Sequence, residues 1–245
     1  MKKKICILTT YDNDFFTPQM LLSLNFSVNF ENIISHIVFV PGFKSIKRTF
    51  ILLFLLNFKE IVEILIYKIK YFISSRKFNF NNIEKKFIKD INSEESIKFI
   101  IEKNFDLIVS LNCNQIINKK VFDQTSCDFV NFHPGKLPNY RGLFTNFYCI
   151  LNKESEIYLS YHKIDVGIDT GQLMRELKYP VNKKDTFFSL YKKLYLNKRS
   201  HDFIIDCIKN YDLYKNDVLT RTNSTNFSYH SSPSIKQIIN FLYRH

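Results

Sequence analysis

The chain has 245 residues, 45% hydrophobic and 24% charged, enough for one large domain or for one domain with a small appendage. Its net charge of +12 comes from lysines spread along the whole chain, which disfavours a dedicated nucleic-acid arm and suits either a solvated surface or a pocket for an acidic ligand. The five cysteines lack zinc-site or CxxC spacing and therefore predict reduced thiols in the cytoplasm.

The first part of the chain alternates between predicted strands and predicted helices. Residues 4–10, 34–40 and 105–111 are short apolar runs that predict buried strands, and residues 93–103 fit a helix. A further helix is expected to begin at Pro18. This alternation favours an α/β fold, Rossmann-like, with a mostly parallel sheet flanked by helices.

The stretch from 44 to 90 interrupts this alternation. Residues 50–71 are apolar on nearly all sides, with a few interspersed lysines and glutamates. We expect a helical insertion, a pair of helices packed on the sheet edge or on a partner chain, and a membrane-surface helix is the alternative. The apolar run 50–56 is much shorter than the roughly 20 residues that span a bilayer, so no integral membrane span is expected.

The second part of the chain continues with strands and helices and ends in a tail. We expect residues 1–180 to form the core, with residues 181–245 as a C-terminal helix and tail packed on it. The predicted elements are strands at 128–132, 157–164 and 171–179, a helix at 143–152, one long helix over 186–208 capped by Asp185, a turn at 223–226 and a short helix at 235–243 starting near Ser232.

Two segments of the second part carry residues suited to catalysis. Residues 131–142 are NFHPGKLPNYRG and residues 165–171 are DVGIDTG. Asn131 can donate a hydrogen bond to a carbonyl oxygen, His133 can carry a proton near neutral pH, and Asp169 can hold that imidazole. Together these groups suit the transfer of a one-carbon acyl unit to an amine.

These two segments, with His162 between them, resemble the catalytic core of the formyltransferases that use 10-formyltetrahydrofolate. The resemblance covers residues 104–180 well and residues 1–40 in general pattern. It implies that Asn131 stabilises an oxyanion, that His133 shuttles a proton, and that Asp169 orients His133.

The resemblance also implies where ligands bind. The pterin of 10-formyltetrahydrofolate, a formyl donor and co-substrate, would lie between two loops and contact mainly their backbone. Tyr140 and Arg141 would belong to a mobile loop that closes on the substrates, and His162 is expected to bind substrate or position Asp169. The predicted folate-binding residues are Asn114, Gln115, Ile116, Ile117, Asp165 and Gly167.

A metal site is an alternative for the same residue types. His133, His162, Asp165 and Asp169 are all possible ligands. The family resemblance argues against such a site, and we expect no metal.

The family that these motifs resemble includes enzymes that act on three kinds of acceptor. The stretch after the first strand, residues 9–14, contains two acids and no glycine, which disfavours the phosphate loop expected for glycinamide ribonucleotide. The residues after Pro180 are too few for the barrel domain of methionyl-tRNA enzymes. A sugar N-formyltransferase is therefore expected.

The expected substrate is the amino group of a dTDP- or UDP-linked 4-amino-4,6-dideoxyhexose, such as dTDP-4-amino-4,6-dideoxyglucose, for the O-antigen of lipopolysaccharide or another surface glycan. We expect no nucleic-acid partner. We expect the protein to form a homodimer. The alternatives are formylation of methionyl-tRNA or glycinamide ribonucleotide, a non-catalytic protein with this fold, and a membrane-associated assembly subunit.

Overall fold

The fold is given by a computed structural model that describes residues 3–11, 20–21, 23–24, 30–42, 46–75, 83–219 and 228–243. The expected turn at 223–226 and the start of the helix expected at Pro18 lie outside these residues. Met20, Leu21 and Leu24 are described, and they are buried in the core.

Seven strands form one sheet in the order β3-β2-β1-β4-β5-β7-β8. Strands β3, β2, β1, β4 and β5 are parallel, whereas β7 runs antiparallel to both β5 and β8. The expected α/β class with a mostly parallel sheet is confirmed. The strands are β1 (Ile5–Tyr11), β2 (His36–Pro41), β3 (Glu84–Phe87), β4 (Leu107–Leu111), β5 (Asp128–His133), β7 (Glu156–Lys163) and β8 (Leu173–Pro180), and a separate two-stranded sheet contains β6 (Arg141–Gly142) and β9 (Tyr229–His230).

Helices cover both faces of the large sheet, and two apolar clusters form the core. The central strands β1 and β4 are buried on both faces, as expected for a sheet with helices on each side. For example, Ile7 and Val109 belong to one cluster, and Leu8 and Ile108 belong to the other. The described helices are α1 (Phe30–Ile33), α2 (Ile46–Leu55), α3 (Phe58–Ser75), α4 (Glu94–Lys103), α5 (Lys119–Gln124), α6 (Thr145–Leu151), α7 (Phe187–Tyr195), α8 (Lys198–Lys209), α9 (Tyr211–Tyr214) and α10 (Ile235–Leu242).

The long helix expected over 186–208 is wrong, because two helices occupy this stretch. Asn197 interrupts it with an extended backbone, and its side chain accepts a hydrogen bond from the Arg199 N–H, so that α8 begins anew. The N-cap of α7 is Thr186, within a capping box with Ser189, rather than the expected Asp185. Local side-chain caps therefore override a continuous apolar pattern here.

The insertion at 44–90 contains the expected pair of helices, α2 and α3, and also a strand that was not expected. Strand β3 pairs with β2 at the edge of the sheet, with Glu84 opposite His36. Its sequence, EKKF, has too little apolar alternation to predict a strand, but lysines are common on edge strands.

The tail of the chain is anchored beside the loop that follows β5. Helix α10 begins with a capping box at Ser234, close to the start expected near Ser232, and buries Ile238 and Phe241. The Phe241 ring stacks on Phe147 of α6, with ring centroids 5.0 Å apart. The short strand β9 pairs with β6 and so brings residues of the tail towards the carboxyl ends of the sheet strands.

Candidate active site

The residues predicted to be catalytic meet at the carboxyl end of β5. Asn131 and His133 are two positions apart on this strand, so their side chains project from the same face of the sheet. Strand β7 pairs with β5 in a register that places His162 opposite Asn131. The loop after β7 then brings Asp169, whose backbone is left-handed with φ 51°, back to both residues.

Asp169 lies at the centre of this group. Its Oδ2 is 3.4 Å from His133 Nδ1 and accepts a hydrogen bond of 2.9 Å from the Gly142 N–H. Its Oδ1 is 3.4 Å from Asn131 Nδ2 and 3.6 Å from His162 Nε2. The carboxylate therefore contacts both histidines and the amide, as a group that orients an imidazole must.

His133 is buried, and both of its ring nitrogens face acceptors of the chain. Nε2 lies 2.6 Å from the carbonyl oxygen of Tyr140, and Nδ1 faces Asp169. Gly135 makes this approach possible, since a Cβ at that position would lie 2.5 Å from the Tyr140 oxygen and 2.7 Å from His133 Nε2. The loop from 134 to 140 is thus folded around the imidazole.

His162 positions the side chain of Asn131. Its Nδ1 lies 2.7 Å from the carbonyl oxygen of Lys163, and so carries a hydrogen that it donates. In the neutral ring, Nε2 then accepts from Asn131 Nδ2 across 3.2 Å. His162 therefore contacts the predicted catalytic residues directly, which fits positioning as well as the expected contact with substrate.

The environment shifts the pKa values of the two charged partners. Burial lowers the pKa of His133 below the ordinary histidine value of 6.5, and it outweighs Asp169 and the Tyr140 carbonyl, which act in the opposite direction. Burial alone would raise the pKa of Asp169, but the two histidines and the Gly142 N–H together hold it well below its ordinary value. At neutral pH the site therefore combines a neutral imidazole with an ionised carboxylate.

A cavity of about 490 Å³ opens onto these residues. Asn131, His133, His162 and Asp169 line it, so the reactive groups share one solvent-connected space. The predicted folate-binding residues also lie on its wall, namely Asn114, Gln115, Ile116, Ile117, Asp165 and Gly167. The structure therefore brings together two stretches that lie far apart in the chain.

The wall loop at 112–117 is fixed by contacts within the chain. The Asn114 N–H donates to Thr10 Oγ1 across 3.1 Å. The Gln115 side chain accepts from the Ile91 N–H and donates to the Lys89 carbonyl, which holds it in place. Ile116 is 53% exposed and offers an apolar surface. A ligand at this loop would meet backbone groups and the apolar side chain of Ile116.

The opposite wall is shaped by Asp165. Its Oδ1 accepts from the Gly167 N–H across 3.0 Å and from Thr170 Oγ1 across 2.5 Å. These bonds close a tight loop in which Ile168 lines the cavity and Val166 is 65% exposed. Asp165 thus acts in this structure as a residue that shapes the wall.

Tyr140 and Arg141, predicted to bind substrate, are not among the described residues that line the cavity. The Tyr140 side chain is buried, and its hydroxyl donates to Glu154 across 2.7 Å. Arg141 lies on β6, where its N–H donates to the Ser228 carbonyl. Tyr140 reaches the site through its backbone carbonyl, and Arg141 directly precedes Gly142, which does line the cavity.

Sequence reasoning missed several residues of the cavity wall. Tyr229 and Ser232 come from the tail, and Phe144 and Tyr195 come from helix ends. Burial raises the pKa of Tyr195, and the nearby negative charge of Asp169 raises this pKa further. The aromatic residues Phe144 and Tyr195 have no distinguishing pattern in the sequence, and Tyr229 depends on a two-residue strand that no periodicity can reveal.

The charged residues among those that line the cavity are acidic, namely Asp165 and Asp169. Within the described part of the chain, no lysine or arginine lines the cavity, although the chain as a whole carries a net charge of +12.

The described residues contain no cluster of three or more His, Cys, Asp or Glu side chains arranged to hold a metal ion. Among the described helices, none is both long and apolar enough to cross a bilayer.

Comparison with known proteins gives the same family as the site. The family model for the formyl transferase domain matches residues 67–207, more than half of the chain and all of the residues described around Asp169. The match begins inside α3 and ends in α8, so it includes the whole cavity wall except the tail.

Two curated relatives match a shorter stretch. A GDP-perosamine N-formyltransferase from Brucella melitensis is 35% identical over 102 residues, which are 42% of this chain and 39% of the relative. A methionyl-tRNA formyltransferase from Citrifermentans bemidjiense is 34% identical over 100 residues, which are 41% of this chain and 31% of the relative. The matched region thus spans about two fifths of these relatives or less.

A solved structure matches nearly the whole chain. The N-formyltransferase from Helicobacter canadensis, in complex with folinic acid and dTDP-3-aminofucose, superposes with a TM-score of 0.57 and 22% identity. The superposition covers 99% of this chain and 80% of that one. At this identity the likeness establishes a shared fold.

Proposed function

Because this chain belongs to the formyl transferase family, we propose that it transfers a formyl group to the amino group of a nucleotide-linked amino sugar. The observation that carries the proposal is the contact of Asp169 with His133 and Asn131 at the wall of one cavity. These are the groups that acyl transfer to an amine requires, namely a proton carrier, its orienting carboxylate and an amide donor.

10-Formyltetrahydrofolate would supply the formyl group, and the wall between Ile116 and Gly167 fits its ring. This wall offers apolar side chains and backbone groups, which suit a flat heterocycle better than a charged ligand. The relative with folinic acid in its structure supports a folate-derived donor. We assign the pterin to the space between residues 114–117 and 165–167.

The chain's own groups would then carry the proton and stabilise charge. Transfer forms a bond between the formyl carbon and the acceptor nitrogen and breaks the bond between that carbon and the donor nitrogen. One proton moves from the acceptor nitrogen to the donor nitrogen. Neutral His133 takes that proton from the acceptor nitrogen and then gives it to the departing donor nitrogen, while ionised Asp169 stabilises the imidazolium. The Asn131 amide donates to the formyl oxygen as negative charge develops there, giving up one of its present hydrogen bonds.

The acceptor is proposed from the far side of the cavity. Tyr229 is 53% exposed and offers an aromatic face for a sugar or base. Because the described cavity wall lacks lysine and arginine, a diphosphate would lie beyond the mouth, where Arg141 precedes Gly142. We propose that the acceptor is a 4-amino-4,6-dideoxyhexose linked to dTDP or UDP. The reaction would take place in the cytoplasm, and its product would be used for an O-antigen or another surface glycan. The relative named for GDP-perosamine adds GDP as a third nucleotide to test.

A panel of acceptors tests this proposal. The purified chain and 10-formyltetrahydrofolate would be incubated with dTDP-, UDP- and GDP-linked 3-amino and 4-amino sugars, with glycinamide ribonucleotide and with methionyl-tRNA. Mass spectrometry would detect the increment of one carbonyl group. Formylation of a nucleotide-linked sugar supports the proposal. Formylation of glycinamide ribonucleotide or methionyl-tRNA alone would refute it.

A further inference from the structure

The tail supplies two residues to the wall of the cavity. Tyr229 and Ser232 line it, and among the described wall residues these two lie outside the stretch 67–207 that matches the family model. The reactive groups and the proposed folate wall all lie inside that stretch. The tail is therefore placed to select an acceptor, whereas the chemistry shared by the family belongs to the rest of the wall.

Tyr229 lies next to the reactive groups. A Cβ at Gly142 would lie 2.8 Å from Cε2 of Tyr229, so the tyrosine ring packs directly on the Gly142 backbone. The Gly142 N–H donates to Oδ2 of Asp169 across 2.9 Å, and the same carboxylate oxygen faces His133. One backbone residue thus separates the ring of Tyr229 from the carboxylate that orients the proton carrier.

The packing of His230 fixes the side on which Tyr229 lies. The two are successive residues of β9, so their side chains project to opposite sides of the strand. The His230 ring stacks on Tyr140 and Tyr148, and its carbonyl accepts from the Leu143 N–H across 2.8 Å. Because His230 is held in this way, Tyr229 faces the cavity, where it is 53% exposed.

The position of Tyr229 decides which part of the acceptor it contacts. The amine that attacks the formyl carbon is bonded directly to the sugar ring, whereas the base lies beyond the diphosphate and the ribose. A side chain packed on Gly142, beside Asp169, therefore meets the sugar and not the base. The surrounding wall suits an uncharged ring, because no lysine or arginine of the described residues lines this cavity.

Given the proposed function, on which this inference rests, we propose that Tyr229 and Ser232 form the sugar subsite and select a 6-deoxy sugar. The aromatic face of Tyr229 packs against the C–H face of the sugar ring. Leu143, which is 42% exposed and lines the same cavity, contacts the C6 methyl group. The Ser232 hydroxyl forms no hydrogen bond within the described part of the chain, and it binds a hydroxyl of the sugar.

Steady-state kinetics with a nucleotide-linked 4-amino-4,6-dideoxyhexose tests the aromatic contact. Tyr229→Ala should raise the KM for this sugar by about tenfold, whereas Tyr229→Phe should keep a nearly wild-type KM, because the ring makes the contact. Neither variant should change the KM for 10-formyltetrahydrofolate, which is assigned to the other wall. The matched control is Tyr243→Ala, which removes a tail tyrosine that is 86% exposed and is not among the described residues of the cavity wall.

The Ser232 hydroxyl and the selectivity for the sugar have their own readouts. Ser232→Ala should raise the KM for the sugar by about three- to tenfold, the effect of one hydrogen bond, whereas Ser231→Ala should not. Unchanged KM in Ser232→Ala would remove Ser232 from the subsite. The wild-type chain should favour the 6-deoxy sugar over its 6-hydroxy counterpart by about tenfold in kcat/KM, and Leu143→Ala should lower this ratio.

Three results would overturn the sugar subsite while the proposed function stands. One is a Tyr229→Ala variant, folded by circular dichroism, whose KM for the sugar equals that of Tyr243→Ala. Another is an equal loss of affinity for dTDP or UDP without a sugar, measured by calorimetry, which would place the base on Tyr229. The third is a wild-type chain that formylates both sugars equally well. If the wild-type chain formylates no nucleotide-linked sugar, the proposed function fails and the subsite fails with it.

Discussion

The Nε2 atom of His133 lies 2.6 Å from the carbonyl oxygen of Tyr140. Since Nδ1 of the same ring faces Asp169, the structure holds both nitrogens of the proposed proton carrier. Proton exchange with a substrate therefore requires that one of these contacts opens. The family resemblance implies that the loop containing Tyr140 moves. Its displacement would let the single hydrogen of the neutral ring shift from Nε2 to Nδ1, where Asp169 accepts it, and would leave Nε2 free to take a proton.

Removing either member of the His133–Asp169 pair should nearly abolish transfer. We expect His133→Ala and Asp169→Asn each to lower kcat by about 100-fold or more, in line with general acid–base groups. Steady-state kinetics with the best acceptor of the panel would measure this effect. His201→Ala is a control, because His201 is also buried but bonds the Tyr195 carbonyl through Nε2 rather than Asp169. Near-normal turnover by a folded His133→Ala would exclude the mechanism.

Asn131→Ala should act on the transition state more than on binding. An amide that donates to developing negative charge is worth about 10²–10³ in kcat at comparable sites, so kcat should fall much more than KM rises. Separate measurement of kcat and KM decides this. A change confined to KM would remove Asn131 from the proposed role and leave it as a binding residue.

Gly135→Ala should distort the site from within. The added Cβ would lie 2.5 Å from the Tyr140 oxygen and 2.7 Å from His133 Nε2, so either the loop or the imidazole must shift. We expect a loss of about 1–3 kcal/mol in the free energy of unfolding, typical of overpacking, together with a marked fall in kcat. Urea denaturation and kinetics would measure both. Lys136→Ala, one residue along, should change neither, and unchanged behaviour of Gly135→Ala would disprove the close approach.

His230 should hold the Tyr140 loop through its ring. Its ring stacks on those of Tyr140 and Tyr148, with centroids 5.1 and 4.1 Å apart, and its carbonyl accepts from the Leu143 N–H. His230→Ala should lower stability by about 0.5–1.5 kcal/mol per lost ring pair and reduce kcat, whereas His230→Phe should restore most of both. If His230→Ala is tolerated, or if His230→Phe shows the same losses as His230→Ala, stacking is not the contribution of His230.

The pH dependence of kcat/KM should report on His133. Because burial lowers its pKa, the neutral base persists below the ordinary value of 6.5. On the acid side of the profile, kcat/KM should therefore rise with pH, with an apparent pKa below 6.5, and then reach a plateau. The same shift links to stability: the folded state disfavours protonated His133, so stability is full above 6.5 and is lost as pH falls through the lowered pKa. An acid limb clearly above 6.5 would contradict the burial of this base.

Much of the site could be predicted from the sequence, because short motifs encode it. The strand before His133, the turn with Gly135 and the loop with Asp169 all carry strong local signals. The sheet strands other than the exposed edge strand β3 were equally readable, since buried strands are short apolar runs. The family resemblance that these motifs suggested is confirmed.

The remaining features depend on tertiary contacts. The tail reaches the cavity through the two residues of β9, which are too few to show a periodicity. Tyr195 looks like one more core aromatic of α7 until the fold places it beside Asp169. The break at Asn197 follows from one side-chain cap within an otherwise continuous helical pattern.

The most direct test of the account is formyl transfer from 10-formyltetrahydrofolate carrying carbon-13 in its formyl group. With a nucleotide-linked 4-amino sugar, the account predicts a product that carries the labelled carbonyl on its sugar nitrogen with the wild-type chain, and almost none with Asp169→Asn. Label found on glycinamide ribonucleotide or methionyl-tRNA but on none of the sugars would contradict the proposed acceptor. Equal labelling of the sugar by Asp169→Asn would contradict the proposed site.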